Sequence, residues 1–316
     1  MEISQMTRKF EARLAVRERI PMLVGLTGAS GSGKTYSALR LATGMQRVTG
    51  GEIFFVDTEA RRGLQYADEF KFRHVAMSEP FSPSDYLAAI KFCQDEGAKI
   101  LIIDSMSHEH SGPGGVLEMH DTELDRLAGA GDYAKRARMT MLAWAKPKAE
   151  RRKLIDAILR MGVNAIFCFR AKPKIKLVTG KDPIQLGWQP IAGEEFVFEQ
   201  TINCLLYPNS GGIPTWAPDE KGEAVMLKRP ANLKSVFQDG QPLSESTGEG
   251  LAKWAQGDEP ASEESDVLSD ALETLKNATT IEDLDIAMND LGGLEWTDNE
   301  KKKLRATVIT RRGELK

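Results

Sequence analysis

The chain has 316 residues, of which 41% are hydrophobic and 28% charged; this composition excludes disorder throughout and allows one large domain with a smaller addition. No run reaches the roughly 20 apolar residues that cross a bilayer, and charges interrupt residues 1–20 where a secretory signal needs an apolar core, so we expect a cytoplasmic protein without a membrane partner. The three cysteines are widely separated, which excludes a disulfide framework, and the net charge of −4 is unevenly distributed.

Residues 1–20 predict an amphipathic helix ahead of the first strand. Ile3, Met6, Phe10 and Leu14 recur at helical spacing among lysine and arginine side chains. Such a helix must cover an apolar surface. That surface belongs either to the core of its own chain or to a neighbouring subunit.

Short apolar runs alternate with helical stretches from Pro21 to Arg170. The runs are MLVGL, EIFFVD, AKILIID and NAIFCFR. Strands that alternate with helices form βαβ units, so the pattern predicts an α/β fold whose mostly parallel sheet is covered on both faces.

The segment Gly28–Thr35 has the phosphate-binding pattern GxxxxGK[ST], between a predicted strand and a predicted helix. Its glycines let consecutive N–H groups point at phosphate oxygens, and the helix N-terminus adds partial positive charge. Lys34 is expected to reach the β- and γ-phosphates of ATP, and Thr35 to hold Mg²⁺. The predicted nucleotide-binding residues are Gly28, Ala29, Ser30, Gly31, Ser32, Gly33, Lys34, Thr35 and Tyr36.

Two carboxylates are predicted to complete this site. Asp104 ends the run AKILIID and is the expected second Mg²⁺ ligand, but Ser105 follows it where many P-loop ATPases have a glutamate that orients water. We therefore predict that Glu59, after the run EIFFVD, is the general base, delivered by a strand beside the phosphate-binding strand. The alternative is a surface carboxylate paired with Arg61 or Arg62.

The segments GASGSGKT, FFVDTE and LIIDS together resemble the RecA-like recombinase ATPases. Further segments, DSMSHEHSGPGGVLEMHD, AWAKPKAERRKLIDAIL, AIFCFRAKPK and GWQPIAGEEFVFE, look like the phage-encoded core-only ATPases associated with single-strand annealing. The resemblance covers about residues 21–230. It implies a RecA-like P-loop ATPase core, ATP and Mg²⁺ as cofactors, a homo-oligomeric ring or filament on single-stranded DNA, and a host cytoplasm if a bacteriophage encodes the chain.

The resemblance also implies roles for three basic residues. Arg170, at the end of FCFR, occupies the region of the polar sensor of the γ-phosphate, although bacterial recombinases usually have an amide there. Lys228 and Arg229 fall where such ATPases often contact the nucleotide of an adjacent subunit. The alternative for that pair is a solvated surface.

Two polar loops are candidates for contact with DNA. The first follows Asp104 and contains the triplet HEH at 108–110, which without a further ligand pattern does not favour a metal site. The second, residues 171–190, is basic with an aromatic available to stack on an unpaired base, against the alternative of a solvated lysine cluster. Its predicted DNA-binding residues are Lys172, Lys174, Lys176, Lys181 and Trp188.

The end of the chain is strongly polarised. Residues 258–300 contain fourteen acidic residues and one basic residue, whereas residues 301–316 contain seven basic residues and one acidic residue. Helical spacing predicts a small acidic helical domain over 266–316, joined by a linker over 233–265 to a core over 21–232. The tail is expected either to mask the DNA-binding loops or, as we favour, to recruit a protein such as a single-strand-binding protein.

The predicted function is therefore ATP hydrolysis coupled to annealing or strand pairing of single-stranded DNA in recombination. A helicase-like or loader-type DNA motor and a P-loop small-molecule kinase are the alternatives. Hydrolysis stimulated by single-stranded DNA would separate the kinase from the other two.

Overall fold

The computed structural model describes residues 12, 14–15, 18–129, 131–177, 180, 182–218, 220–257, 266–293, 296 and 298–315. Most of the predicted N-terminal helix, Lys181 and the end of the predicted linker lie outside these residues. The chain divides into two compact units, Met1–Pro260 and Ala261–Lys316.

The described residues of the first unit form a seven-stranded sheet. Its strands in chain order are β1 (Leu23–Gly28), β2 (Glu52–Asp57), β3 (Arg73–Ala76), β4 (Ala98–Asp104), β5 (Asn164–Lys176), β6 (Ile184–Pro190) and β7 (Ile202–Leu206). The order across the sheet is β3-β2-β4-β5-β1-β7, with every neighbouring pair parallel, and β6 pairs antiparallel with the end of β5. The predicted α/β class with a mostly parallel sheet is confirmed.

Helices cover both faces of this sheet. In chain order they are α1 (Lys34–Thr49), α2 (Pro83–Asp95), α3 (Ser107–Ser111), α4 (Val116–Ala128), α5 (Tyr133–Ala143), α6 (Ala145–Arg160), α7 (Glu194–Phe198), α8 (Lys221–Ala224) and α9 (Glu245–Gln256). Shorter 3-10 helices lie at Arg62–Tyr66 and Ala231–Val236.

Side chains of the central strands alternate between two hydrophobic clusters. Ile100 and Ile102 of β4 belong to the cluster that includes α1 and α9, whereas Leu101 and Ile103 belong to the cluster that includes α2 and α6. Burial on both faces requires apolar residues at successive positions, which explains why the run AKILIID is continuous instead of alternating.

The order of the strands corrects one assumption about Glu59. β2 pairs with β3 and β4, while β1 pairs with β5 and β7, so β4 and β5 separate β2 from the phosphate-binding strand. Glu59 is therefore not delivered by a neighbour of β1. It reaches the site because the carboxyl ends of parallel strands share one edge of the sheet.

The predicted linker over 233–265 is wrong for its described part. α9 packs along α1, and Leu233, Leu243 and Leu251 are buried in the same cluster as α1. The two helices approach so closely that a Cβ at Gly44 would collide with the backbone oxygen of Glu245, and one at Gly248 with that of Leu41. Residues up to Gln256 thus belong to the α/β unit.

The described residues of the second unit form three helices, α10 (Asp266–Asn277), α11 (Ile281–Leu291) and α12 (Asp298–Glu314). They enclose their own apolar cluster, which includes Leu268, Leu275, Leu284 and Leu304. Across the described parts of both units, no helix has the length and apolar character that spanning a membrane requires.

Candidate nucleotide-binding site

The phosphate-binding loop connects β1 to α1. Gly31 and Gly33 have φ values of 77° and 91°, a left-handed conformation that favours glycine. Lys34 Nζ donates hydrogen bonds to the carbonyl oxygens of Gly28 and Ala29 at 3.0 and 2.7 Å. Burial lowers the pKa of Lys34 from its ordinary value. The ammonium is thus held inside the loop, where it can meet phosphate oxygens.

The same loop holds a polar atom that fits a phosphate. Ser32 is fully buried, and its Oγ is among the buried side-chain atoms of the described residues that lack a hydrogen-bond partner. The N-terminus of α1 at Gly33 has no side-chain cap among the described residues. A phosphate bound here would satisfy groups that the protein itself leaves without partners.

Thr35 and Asp104 meet at the end of the sheet. Thr35 Oγ1 donates a hydrogen bond to Asp104 Oδ2 at 2.5 Å. Burial raises the pKa of Asp104 to about 6, while the hydrogen bond from Thr35 acts in the opposite direction. A hydroxyl and a carboxylate oxygen are hard ligands that fit Mg²⁺, which commonly takes one or two protein oxygens and completes its shell with substrate phosphates and water.

A cavity of about 630 Å³ opens beside the loop and brings the predicted residues together. Lys34, Thr35, Asp104, Glu59 and Arg170 all line it. Its wall also contains side chains that the sequence analysis missed, namely Asp57, Arg62, Gln65 and Tyr66. Asp57 is the last residue of β2, and the other three residues follow that strand. Their positions in the sequence form no recognised motif, so the sequence alone does not identify them as site residues.

Glu59 and Arg170 form a bidentate ion pair in this cavity. Arg170 Nε donates to Glu59 Oε1 at 2.7 Å, and Arg170 Nη2 donates to Glu59 Oε2. In the sheet register Asp57 lies opposite Asp104, and Asp104 opposite Cys168. Glu59 lies two residues after Asp57, and Arg170 lies two residues after Cys168. The two side chains thus come from the turn after β2 and from β5, and these two strands lie on either side of β4, which carries Asp104. The partner of Glu59 is thus Arg170 instead of Arg61 or Arg62.

Asp57 fixes the turn that carries Glu59. Its Oδ1 accepts the backbone N–H of Glu59 at 2.8 Å, and its Oδ2 accepts that of Gly63 at 2.8 Å. His74 Nε2 lies 3.0 Å from the same Oδ2. The side chain of Asp57 is fully buried, so these contacts satisfy a carboxylate that would otherwise be costly to bury.

The HEH triplet is engaged in internal contacts. Glu109 accepts hydrogen bonds from Arg151 Nε and Nη2 at 3.1 and 3.0 Å, with both side chains buried. Arg151 Nη2 also lies 2.8 Å from His110 Nδ1, and burial lowers the pKa of His110 to about 4. His108 Nδ1 lies 2.8 Å from Thr58 Oγ1. Among the described residues, no group of three or more His, Cys, Asp or Glu could hold a metal ion.

The predicted basic loop is a β-hairpin over most of its length. β5 continues beyond the parallel sheet and pairs with β6, which places Lys172 opposite Gln189 and Lys174 opposite Gly187. Lys172, Lys174 and Lys176 are exposed. Successive residues of a strand face opposite sides, so Arg170, Lys172 and Lys174, which are two residues apart, lie on the same face of β5.

Trp188 has a structural role at the root of this hairpin. Its ring packs against the buried cluster of Val197, Leu205 and Met226, and its backbone N–H donates to Glu223. The indole is only partly exposed. We therefore do not include it in the DNA-binding surface proposed below.

Six predicted nucleotide-binding residues are not part of the cavity lining: Gly28, Ala29 and Ser32 of the phosphate-binding loop, and Tyr36, Lys228 and Arg229. Tyr36 packs its ring near Tyr66 and Phe70, at centroid distances of 5.9 and 5.4 Å. Lys228 donates to the carbonyl oxygen of Phe198 at 3.2 Å, and Arg229 stacks over Trp216 and pairs with Asp239. Lys228 and Arg229 thus do not line the nucleotide cavity of their own chain. Any contact with the nucleotide of another subunit remains a prediction.

Comparison with known proteins identifies the family of the chain and partial similarities to other proteins. Residues 20–200 match the model of a family described as the AAA domain. A 95-residue stretch is 35% identical to the sulfate/thiosulfate import ATP-binding protein CysA 1 of Agrobacterium fabrum and spans 28% of this chain and 27% of that protein. A solved KaiC-like protein from Pyrococcus horikoshii OT3 aligns with a TM-score of 0.31 and 19% identity, over 61% of this chain and 80% of that one.

Proposed function

Since this chain belongs to the AAA domain family, whose model it matches over more than half of its length, we propose that it hydrolyses ATP as a P-loop ATPase. The hydrolysis is coupled to annealing or strand pairing of single-stranded DNA during recombination. The observation that carries this proposal is the course of β5. Arg170 lines the nucleotide cavity, and the same strand continues into the exposed lysines of the hairpin. One strand thus joins the proposed ATP site to a basic surface.

ATP is proposed to bind with its phosphates in the loop between β1 and α1. Lys34 binds the β- and γ-phosphates, and Ser32 and the first N–H groups of α1 supply further donors. Thr35 and Asp104 would hold Mg²⁺, which supplies charge neutralisation for the phosphate oxygens when it is bound. Gln65 and Tyr66, which also line the cavity, are proposed to offer an amide and an aromatic ring to the nucleoside.

Hydrolysis is proposed to use Glu59 as the general base. Glu59 accepts a proton from water while the water oxygen bonds to the γ-phosphorus and the bond from that phosphorus to the bridging oxygen breaks. The electron pair of the broken bond remains on ADP, and phosphate is released with the second water proton. Asp57 positions Glu59 by holding its backbone N–H.

Single-stranded DNA is proposed to bind along Lys172, Lys174 and Lys176. Their side chains are exposed on the hairpin of β5 and β6, so their ammonium groups are available to the phosphates of the DNA backbone. Assembly into a ring or filament, with Lys228 and Arg229 facing the nucleotide of a neighbour, belongs to this proposal.

The test is ATP hydrolysis by the full chain with and without oligothymidylate, followed by annealing of complementary oligonucleotides. Stimulated hydrolysis together with faster annealing supports the proposal. Stimulated hydrolysis with unwinding of a duplex favours a helicase-like motor or loader instead. Unstimulated hydrolysis without DNA binding, combined with phosphate transfer to a small molecule, favours a kinase. Lys34→Ala is the control for contaminating ATPases.

A further inference from the structure

The ion pair between Glu59 and Arg170 occupies both oxygens of the proposed general base. A carboxylate that accepts a proton from water needs an oxygen free to face that water. Here Oε1 accepts from Arg170 Nε and Oε2 from Arg170 Nη2. Arg170 therefore holds both carboxylate oxygens of Glu59, and this ion pair restrains Glu59 from acting as a base.

Arg170 is placed where a second anion can compete for it. Its side chain is 44% exposed, whereas that of Glu59 is 14% exposed. Its backbone N–H donates to Ser107 Oγ at 2.8 Å, so the main chain is held independently of the ion pair that the guanidinium makes with Glu59. Lys172 lies two residues farther along the same face of β5, at a distance of about 7 Å. A phosphate chain bound to the lysines would thus pass beside the guanidinium.

We propose that Arg170 restrains Glu59 when the hairpin is empty and transfers to a backbone phosphate when single-stranded DNA occupies the lysine face, which frees Glu59 to act on water. This inference rests on the proposed function and adds the means by which DNA regulates it. Arginine suits both roles because its planar fork binds a carboxylate or a phosphate with two parallel hydrogen bonds.

Bound ATP would place a competing anion inside the cavity, because its γ-phosphate can also attract Arg170. In that arrangement the guanidinium serves the transition state and hydrolysis requires it. If Arg170 restrains Glu59, removing it should raise the turnover measured without DNA. If Arg170 serves the transition state, removing it should lower that turnover.

The decisive experiment measures ATP turnover of Arg170→Gln with and without oligothymidylate. The expected result is a roughly two- to fivefold rise in DNA-free turnover, the range that corresponds to loss of a partly exposed ion pair, and a stimulation ratio near one. Arg126→Gln is the matched control, because Arg126 forms a similar bidentate pair with Glu123 on α4, away from the cavity. Its DNA-free turnover and stimulation ratio should equal those of the unmodified protein.

A binding measurement tests the same idea without hydrolysis. Glu59→Gln removes the charged partner of Arg170, so its affinity for oligothymidylate in the absence of nucleotide should rise, and the slope of log K against log salt should steepen. Arg170→Gln should lower that slope by about 0.7, the value of one phosphate contact on a single strand. Arg170→Lys keeps one charge without the fork and should raise DNA-free turnover while retaining the slope.

The outcomes separate failure of this inference from failure of the proposed function. A protein that neither binds oligothymidylate nor is stimulated by it overturns the proposed function. If the unmodified protein is stimulated, but Arg170→Gln hydrolyses ATP more slowly or is stimulated equally, only the restraint by Arg170 is overturned. Unchanged DNA affinity in Glu59→Gln would overturn it as well.

Discussion

Thr35 and Asp104 are joined by a hydrogen bond of 2.5 Å between Oγ1 and Oδ2, although 69 positions separate them in the chain. The bond connects the first turn of α1 to the end of β4, where both side chains line the nucleotide cavity. Because one residue belongs to the phosphate loop and the other to the central strand, the loop and the sheet edge form a single site.

Lys34→Ala should abolish tight ATP binding and hydrolysis. The variant loses the cation that faces the phosphates and the hydrogen bonds to Gly28 and Ala29. The core of the sheet does not depend on this side chain, so the circular dichroism spectrum should remain that of the unmodified protein. Titration with a fluorescent ATP analogue measures the loss; full binding and turnover would contradict the assignment of the loop.

Glu59→Gln should retain ATP binding but reduce turnover by about 10² to 10⁴, the usual contribution of a positioned general base. The amide keeps the size of the side chain and cannot accept the proton. Glu123→Gln on α4 is the control, since that carboxylate pairs with Arg126 away from the cavity. Normal turnover in Glu59→Gln would mean that another residue is the base.

Replacing Lys172, Lys174 and Lys176 together with glutamine should weaken binding to single-stranded DNA and flatten its salt dependence. Each lost phosphate contact lowers the slope by about 0.7, so the three together should lower it by about 2. Fluorescence anisotropy of a labelled oligonucleotide across a salt series measures the change. An unchanged slope would redirect the search to Lys135, Arg136 and Arg138 on α5.

The stability of the protein should decrease between pH 6.5 and pH 4 because of His110. The pKa of its ring is lowered to about 4 by burial, whereas an unfolded histidine titrates near 6.5. Between those values the unfolded chain binds a proton that the folded chain excludes, so the free energy of unfolding falls as the pH falls, by about 1 to 3 kcal/mol.

Urea unfolding at several pH values measures this effect. His110→Gln keeps an acceptor for Arg151 but does not titrate, so the variant should lose less stability than the unmodified protein over the same interval. Equal losses in the two proteins would exclude His110 as the source.

Deleting residues 261–316 should leave the α/β unit folded, because the second unit encloses its own apolar cluster. If the acidic tail masks the hairpin, the truncated protein should bind single-stranded DNA more tightly at low salt. If the tail recruits a partner, DNA affinity should hardly change, while cooperation with a single-strand-binding protein is lost. Size-exclusion chromatography and anisotropy distinguish these results; an aggregated truncation would contradict both.

Local sequence was sufficient for the parts of the site whose contacts are local. The phosphate loop, Lys34 and Thr35 lie within eight consecutive residues, so their spacing alone predicts their chemistry. The pairing of Glu59 with Arg170 spans 111 positions and depends on which strands are neighbours. The role of Asp57 was missed for a related reason, because its partners Gly63 and His74 are brought together only by the turn after β2 and by β3.

The errors also have physical causes. A Gly- and Ser-rich stretch is typical of a linker, but the small residues of α9 serve close packing on α1, which only the partner helix reveals. The basic segment after Arg170 has the composition of a loop, because lysine, proline and glycine are poor indicators of strands, whereas pairing with β6 makes it a strand.

α9 lies directly against the backbone of α1, the helix that begins with Lys34 and Thr35, because a Cβ at Gly44 would meet the backbone oxygen of Glu245 and one at Gly248 that of Leu41. There is no room for a side chain at either point, so the two backbones pack closely, and the ion pair between Arg40 and Glu245 links the two helices. A helix remote in sequence therefore supports the helix whose N-terminus forms part of the phosphate site.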